Sequence, residues 1–391
     1  MIYLDNSAST YTKPKEVIKA VNESLLHYTA NPGRSGHKAS IKTALKIEET
    51  REKLAHHFNA ESGQNVIFTL NCTQALNLAI LGSAKKNGHV ICTENEHNSV
   101  LRPLEFLKNL GIIDYDIAYQ NSPIGISLND ILKYKKDNTY MIICNHISNV
   151  NGSIADIKSI GEYCSQNNII FLVDGAQSCG HIKIDIKENN IDYLSVAGHK
   201  GFYAPQSIGA LIIGDKYRPE PIMFGGTGTN SLELFQPNIF PERLESGTIS
   251  TPLILGLEAG VDFVERNFDD IVNKLDDLTT FFNYELNKMG VTTYTQPENS
   301  FGVIAFNIKD LHSNEVSNIL NEKYDICVRG GYHCAPIKHK ALGTIEQGAV
   351  RVSLSYFNTF TEMQKLLFAV KHIFKNCWLW CIIMYYYVIV I

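Results

Sequence analysis

The sequence predicts an open α/β fold built on a mostly parallel sheet, followed by a smaller α+β unit. Three observations carry this. Between residues 65 and 215, short apolar runs alternate with amphipathic stretches, the strand–helix–strand rhythm of a sheet covered by helices. The runs are continuous: Ile169-Ile170-Phe171-Leu172-Val173 has no polar face, as a strand buried on both sides requires. After Ser250-Thr251-Pro252 the rhythm changes to two long helical stretches and then mixed elements.

Taken in order, strands are expected at 65–69, 89–93, 140–146, 169–173, 193–196 and 208–213, with helices at 74–85, 100–110 and 155–167. Beyond them come helices at 253–267 and 271–289, a strand at 301–307 and a helix from Asn314. Residues 13–252 are expected to form the large domain. Residues 1–12 and 253–375 form the small one, and 376–391 an apolar tail of open status.

The chain has 391 residues, 45% hydrophobic and 19% charged, with a formal net charge of −5. That balance gives no electrostatic reason for a nucleic acid or anionic membrane partner. Nine cysteines, odd in number and without a CxxC pair, suggest neither a disulfide framework nor a zinc ribbon, and fit a reducing cytoplasm. Met1-Ile2-Tyr3-Leu4-Asp5-Asn6 reads as a short strand with no basic n-region, so no secretory leader is expected. The tail at 376–391 carries no charge and falls short of the about 20 apolar residues a membrane span needs. Two readings of it stay open, a non-native extension or a real anchor or partner segment. Only the second would bring a membrane into play, and an exposed tail would be an aggregation hazard.

Open α/β sheets bind ligands beyond the carboxyl ends of their strands, and Thr73, His97, Asn149, Asp174 and Lys200 each follow an expected strand. Lys200 closes Ser195-Val196-Ala197-Gly198-His199-Lys200, and Asp174 ends the strand before it. A positioned lysine can form an imine and shuttle a proton, and a strand-end aspartate can keep a pyridinium nitrogen protonated. Together they fit pyridoxal phosphate. A lone lysine is more often a solvated surface group, but an unpartnered aspartate after five apolar residues would be costly to bury. Gln177 lies one turn on, placed to reach the ring's phenolate oxygen.

Asn71-Cys72-Thr73-Gln74-Ala75 follows a strand and opens a helix, and its free N–H groups suit a phosphate. The plain alternative is an N-cap by Thr73. His199 is a second phosphate candidate and Thr248, in Glu245-Ser246-Gly247-Thr248, a third, unless that loop is only a turn. His97 could stack on the ring and exchange protons. Arg351 interrupts an apolar strand and needs an anion, either a bidentate substrate carboxylate or a structural partner. Cys334 lies in Arg329-Gly330-Gly331-Tyr332-His333-Cys334-Ala335-Pro336, where cationic neighbours favour the thiolate. Cys334 and His339 are too sparse for a metal site, and none is expected. Gly225-Gly226-Thr227-Gly228 lacks a βα context and reads as a loop.

Together these segments resemble the class V aminotransferase family, and within it the cysteine desulfurases of the second group (the SufS-like and selenocysteine lyase branch). The resemblance runs from Tyr3-Leu4-Asp5-Asn6 through Asn31-Pro32-Gly33-Arg34-Ser35-Gly36-His37 to Phe357-Asn358-Thr359, and stops before the tail. It implies a fold type I homodimer with active sites at the subunit interface. Its large domain carries a mostly parallel seven-stranded sheet flanked by helices, beside a smaller α+β C-terminal domain. It implies pyridoxal 5′-phosphate, with Lys200 as the imine-forming lysine, Asp174 on the pyridinium, Gln177 on the ring oxygen and His97 as the stacking acid/base. Cys72, Thr73 and His199 would hold the phosphate, helped by Thr248 of the neighbouring subunit. Asn149 and Arg351 would orient the substrate carboxylate, with Arg329 bordering it.

The implied reaction converts L-cysteine, or L-selenocysteine, to alanine. Cys334 takes the sulfur as a persulfide and passes it to an acceptor protein for iron–sulfur cluster or thiocofactor assembly. Another class V C–S lyase or an aminotransferase is the alternative. Two departures stand out. Ala197 replaces a usual Ser or Thr phosphate ligand, and Ala204 and Ser207 stand where glycines are common in the loop after the lysine.

Overall fold

The computed structural model describes residues 1–32, 36–122, 125–229 and 231–376. The Gly33-Arg34-Ser35 part of the N-terminal motif and nearly all of the apolar tail lie outside the described residues. Strands run β1 Ile2–Tyr3, β2 Val66–Thr69, β3 Gly88–Thr93, β4 Ile113–Ala118, β5 Thr139–Asn145, β6 Ile170–Asp174, β7 Tyr193–Ala197, β8 Gly209–Ile213, β9 Thr292–Thr293, β10 Val303–Asn307, β11 Ile326–Cys327 and β12 Val350–Ser353. Helices run α1 Lys15–His27, α2 Lys38–Phe58, α3 Cys72–Gly82, α4 Asn98–Asn109, α5 Leu128–Leu132, α6 Ile157–Asn167, α7 Thr251–Arg266, α8 Phe268–Lys288, α9 Ser313–Tyr324, α10 Pro336–Ala341 and α11 Phe360–Lys375.

Seven strands form the main sheet in the order β2-β8-β7-β6-β5-β3-β4. From β7 to β4 every pairing is parallel, whereas β8 runs antiparallel to both of its neighbours. The six continuous apolar runs form strands within a residue of their expected ends. The seventh strand, β4, carries no such run, because it is an edge. Its Asp114 is exposed, and only its two ends, Ile113 and Ala118, are buried.

Successive side chains along the inner strands point to opposite faces. Ile67, Val90, Met141, Leu172 and Leu211 pack with α3 and α4 on one side. Phe68, Ile91, Ile142, Val173 and Ile212 face the larger core on the other. That larger core continues without a break into α7, α8, β10 and α11.

The C-terminal portion holds a three-stranded antiparallel sheet, β12-β10-β9. The N-terminal strand β1 joins this portion by pairing in parallel with β11, and Asp5 bridges to Ser353 of β12. Residues 2–10 therefore lie between the C-terminal portion and the carboxyl ends of the parallel strands, where Thr10 donates to the carbonyl of His199.

Candidate active site

Beyond the carboxyl ends of β3, β5, β6 and β7 lies a cavity of about 230 Å³. Asp174, the last residue of β6, forms its floor and is 2% exposed. Its Oδ1 accepts from the N–H of Ala176 at 2.9 Å and meets Oγ of Ser195 at 3.4 Å and Sγ of Cys72 at 3.6 Å. Among the described residues its Oδ2 has only the Nδ2 of Asn145, at 3.4 Å, and so keeps capacity for another donor. Cys72 is buried, and burial pushes its thiol well up, with the Asp174 charge adding to the effect. It is a neutral wall of the site.

Lys200 follows β7. Burial pushes its ammonium down from the ordinary lysine range, and Arg351 and Arg329 add to this, while Cys72 and Asp174 oppose. That favours the free amine an imine-forming lysine needs. His97 caps α4: its Nδ1 accepts from the Ser99 N–H at 3.0 Å and lies 2.7 Å from the Ser99 hydroxyl. Burial, then Lys200, lower its pKa to about 4. At neutral pH the ring is therefore uncharged with its proton on Nε2, because Nδ1 is an acceptor.

Helix α3 begins two residues earlier than expected, and its N-cap is Asn71, whose side chain accepts from the Gln74 N–H at 3.0 Å. Thr73 is thus not the cap. It is exposed on the first turn, lining the cavity with Cys72, where helix N–H groups lack intrahelical partners. His199 borders the same cavity with its Nδ1 unpartnered, and burial with Lys200 and Lys13 pushes it down to about 4. Gln177 is held by donation from its Nε2 to the carbonyl of Ser7 at 3.1 Å, which leaves it a second N–H.

Arg351 sits on β12 and is 1% exposed. Its Nη2 lies 2.6 Å from Oδ1 of Asp5, and its Nη1 donates to the Asn149 carbonyl at 3.0 Å. The anion expected beside Arg351 is therefore partly supplied by the protein itself, while Nε has no partner among the described residues. Asp5 and Ser7 are site residues that sequence reasoning missed; both are more than 150 residues distant in sequence from the groups they hold. Arg329 pairs its backbone with Arg351 and is half-buried at the cavity edge.

Cys334 is half-buried in the cavity wall and has a left-handed backbone, φ 58°. One expectation is corrected here. His333 cannot favour a thiolate by charge, since burial, then Arg351, push its pKa down to about 2, and its Nε2 donates to the Ala349 carbonyl at 3.0 Å. Arg329 and Arg351 line the same cavity as Cys334.

Thr248 is not brought to this cavity within the chain. It is exposed, and lines a separate pocket of about 150 Å³ with Arg51 and Glu245, themselves joined at 2.5 Å. Among the described residues no group of three or more His, Cys, Asp or Glu could hold a metal ion.

The family model described as aminotransferase class-V matches residues 2–366. The chain belongs to the class V aminotransferase family. Among curated relatives, a probable cysteine desulfurase of Pyrococcus abyssi is 33% identical over 96% of this chain and 95% of its own length. One of Methanothermobacter thermautotrophicus is 32% identical over 93% and 92%. Among solved structures, the apo cysteine desulfurase of Thermococcus onnurineus NA1 superposes with a TM-score of 0.89 at 31% identity, covering 96% of this chain and 95% of that one.

The cofactor general to class V aminotransferases fits the residues present. A carboxylate with spare acceptor capacity, an amine with lowered pKa and a helix N-terminus meet in one cavity. The unpartnered buried atoms Asn145 Oδ1, Asn149 Oδ1, His199 Nδ1 and Arg351 Nε sit around them. Native interiors rarely leave such atoms unpaired without a reason, and a polar ligand supplies one.

Proposed function

We propose that this chain is a pyridoxal phosphate-dependent cysteine desulfurase. The observation that carries the reading is the meeting of Lys200, Asp174 and His97 with Cys334 in one cavity. The names of its similar relatives support it. Asp174 would hold the ring nitrogen, Gln177 the ring oxygen, and Cys72, Thr73 and His199 the phosphate. Bound there, pyridoxal phosphate supplies an electron sink for the pair released at Cα.

The chain's own residues do the rest. Arg351 and Asn149 orient the substrate carboxylate beside Arg329. Lys200, as a free amine, takes the Cα proton. His97, its Nδ1 held by Ser99, would present its Nε2–H to the bound ring. The Cys334 thiolate attacks the substrate sulfur: an S–S bond forms, the Cβ–S bond breaks and its pair stays with carbon, which gains a proton. The products are alanine and a persulfide on Cys334. An acceptor protein would collect that sulfur for iron–sulfur cluster or thiocofactor assembly.

A homodimer is part of this reading. Thr248 would reach the phosphate of the partner subunit, and its stretch of chain carries Leu232, Leu234 and Phe235 at 100%, 99% and 88% exposure. Large exposed apolar clusters of this kind mark interaction surfaces. No helix among the described residues is long and apolar enough to cross a membrane.

Replacing Cys334 with alanine tests the proposal. Turnover of L-cysteine to alanine with a thiol acceptor should fall at least about a hundredfold, with the visible absorbance of the bound cofactor retained. Undiminished turnover overturns it, and release of pyruvate and ammonia would instead mark an eliminating C–S lyase. A higher rate on L-selenocysteine, insensitive to this substitution, would mark a selenocysteine lyase.

A further inference from the structure

We propose that Lys338 and Glu94 are a positioning pair that locks Cys334 at the cavity wall; this rests on the reading that Cys334 takes the sulfur. His333 and Cys334 both hold left-handed backbones, φ 49° and 58°. Neither is glycine, and such conformations persist only where the surroundings over-determine them. Three bonds act on the loop itself. The Asn98 N–H donates to the Cys334 carbonyl at 2.8 Å, Nδ2 of Asn149 to the His333 carbonyl at 2.7 Å, and the Ala335 N–H to the Tyr332 carbonyl at 2.9 Å.

A fourth contact anchors the helix on the far side of the loop. Lys338 lies on α10, directly after the cysteine loop, and its Nζ is 2.7 Å from Oε1 of Glu94. The two side chains are 3% and 5% exposed. Glu94 comes right after β3 and is itself fixed: its N–H donates to the Ala118 carbonyl at 3.0 Å, and its Oε2 accepts from the Gln120 N–H at 3.3 Å. Three residues on stands His97. The pair thus joins the segment that carries Cys334 to the segment that carries His97.

Two charges taken wholly out of water are poor stabilisers compared with apolar packing, yet removing one strands the other. On this proposal the contact serves register rather than stability. Its geometry sets where the Cys334 sulfur stands relative to a bound substrate, and catalysis is sensitive to displacements of about 1 Å. Glu94 and Lys338 touch none of the reacting groups, so they act through Cys334.

The experiment compares Lys338→Met, Glu94→Gln and Lys338→Arg with the unaltered chain. In cofactor-free protein, alkylation of Cys334 by iodoacetamide, followed by the mass of its peptide, should rise several-fold in the first two and return towards normal in Lys338→Arg. In the loaded enzyme, kcat should fall about tenfold, with KM for L-cysteine and cofactor absorbance little changed. Unchanged alkylation in a folded variant overturns the proposal. So does a loss of kcat that is matched by losses of cofactor and substrate binding, the mark of a merely structural pair. Should Lys338→Met fail to fold, the isosteric Glu94→Gln decides alone. Alkylation needs neither substrate nor turnover, so it judges the pair even if Cys334→Ala overturns the desulfurase reading.

Discussion

Oδ1 of Asp5 lies 2.6 Å from Nη2 of Arg351, and among the described residues Asp5 is the only carboxylate in ion-pair contact with it. The substrate carboxylate would therefore approach a guanidinium already half-satisfied, through its unpartnered Nε. Asp5→Asn leaves the buried cation its bond to the Asn149 carbonyl but removes the Asp5 charge, and should cost about 1–3 kcal/mol. L-Alanine would then supply the missing charge, so its addition should raise the melting temperature more in the variant than in the unaltered chain. Equal shifts would show that Asp5 and the ligand carboxylate do not share Arg351.

Ala197, the last residue of β7, is 1% exposed and lines the cavity beside His199. It offers no hydroxyl to a phosphate. Ala197→Ser should add one hydrogen bond, about 1 kcal/mol, and so tighten pyridoxal phosphate about fivefold. Absorbance titration of the cofactor-free protein measures this directly. No gain would place the phosphate away from β7.

Stability should fall in mild acid. Burial holds His146 at about 4, and His97 and His199 sit at about 4 for the same first reason, against about 6.5 in the unfolded chain. Between those values the unfolded state binds the extra protons. The stability these rings contribute is thus present above pH 6.5 and lost as pH falls towards 4. At about 1.4 kcal/mol per pH unit, buried His146 alone accounts for about 3 kcal/mol. Denaturant titrations from pH 7 to 4 check this, and His146→Gln should flatten the profile.

Glu96 works in the opposite direction. It is 0% exposed, its Oε2 has no partner among the described residues, and burial pushes its carboxyl up to about 8. The stability linked to this raised pKa is fully present below about pH 4.5 and lost as pH climbs through 8. Glu96→Gln keeps the shape and an oxygen for the donors at Thr93 and Asn145. It should raise the melting temperature at pH 9 by a few degrees and leave it unchanged at pH 5.

Burial patterns made most of the sheet legible. Runs such as 169–173 have no polar face because both sides of the sheet are covered, and the residues that follow them fall at one edge by topology alone. Strand direction is not written in burial: β8 runs against its neighbours, yet Gly209–Ile213 is as uniformly buried as the parallel strands. Edge strand β4 hid for the converse reason, its two aspartates facing water and lysines. At the site, lone residues with intrinsic chemistry were visible, and eleven of them line one cavity. Their keepers were not. Asp5 meets Arg351 across 346 positions and Glu94 meets Lys338 across 244, and no local pattern encodes such distances.

The first ten residues touch the site from end to end: Asp5 holds Arg351, Ser7 holds Gln177, and Thr10 holds the carbonyl of His199. Their strand partner β11 and the β12 they bridge come after residue 325. On the ribosome, where chains emerge amino end first, residues 2–10 must wait for β11 and β12 before they can dock. Synthesis and assembly run in opposite order here, and the cavity gains its full lining only once β12, with Arg351, has been made.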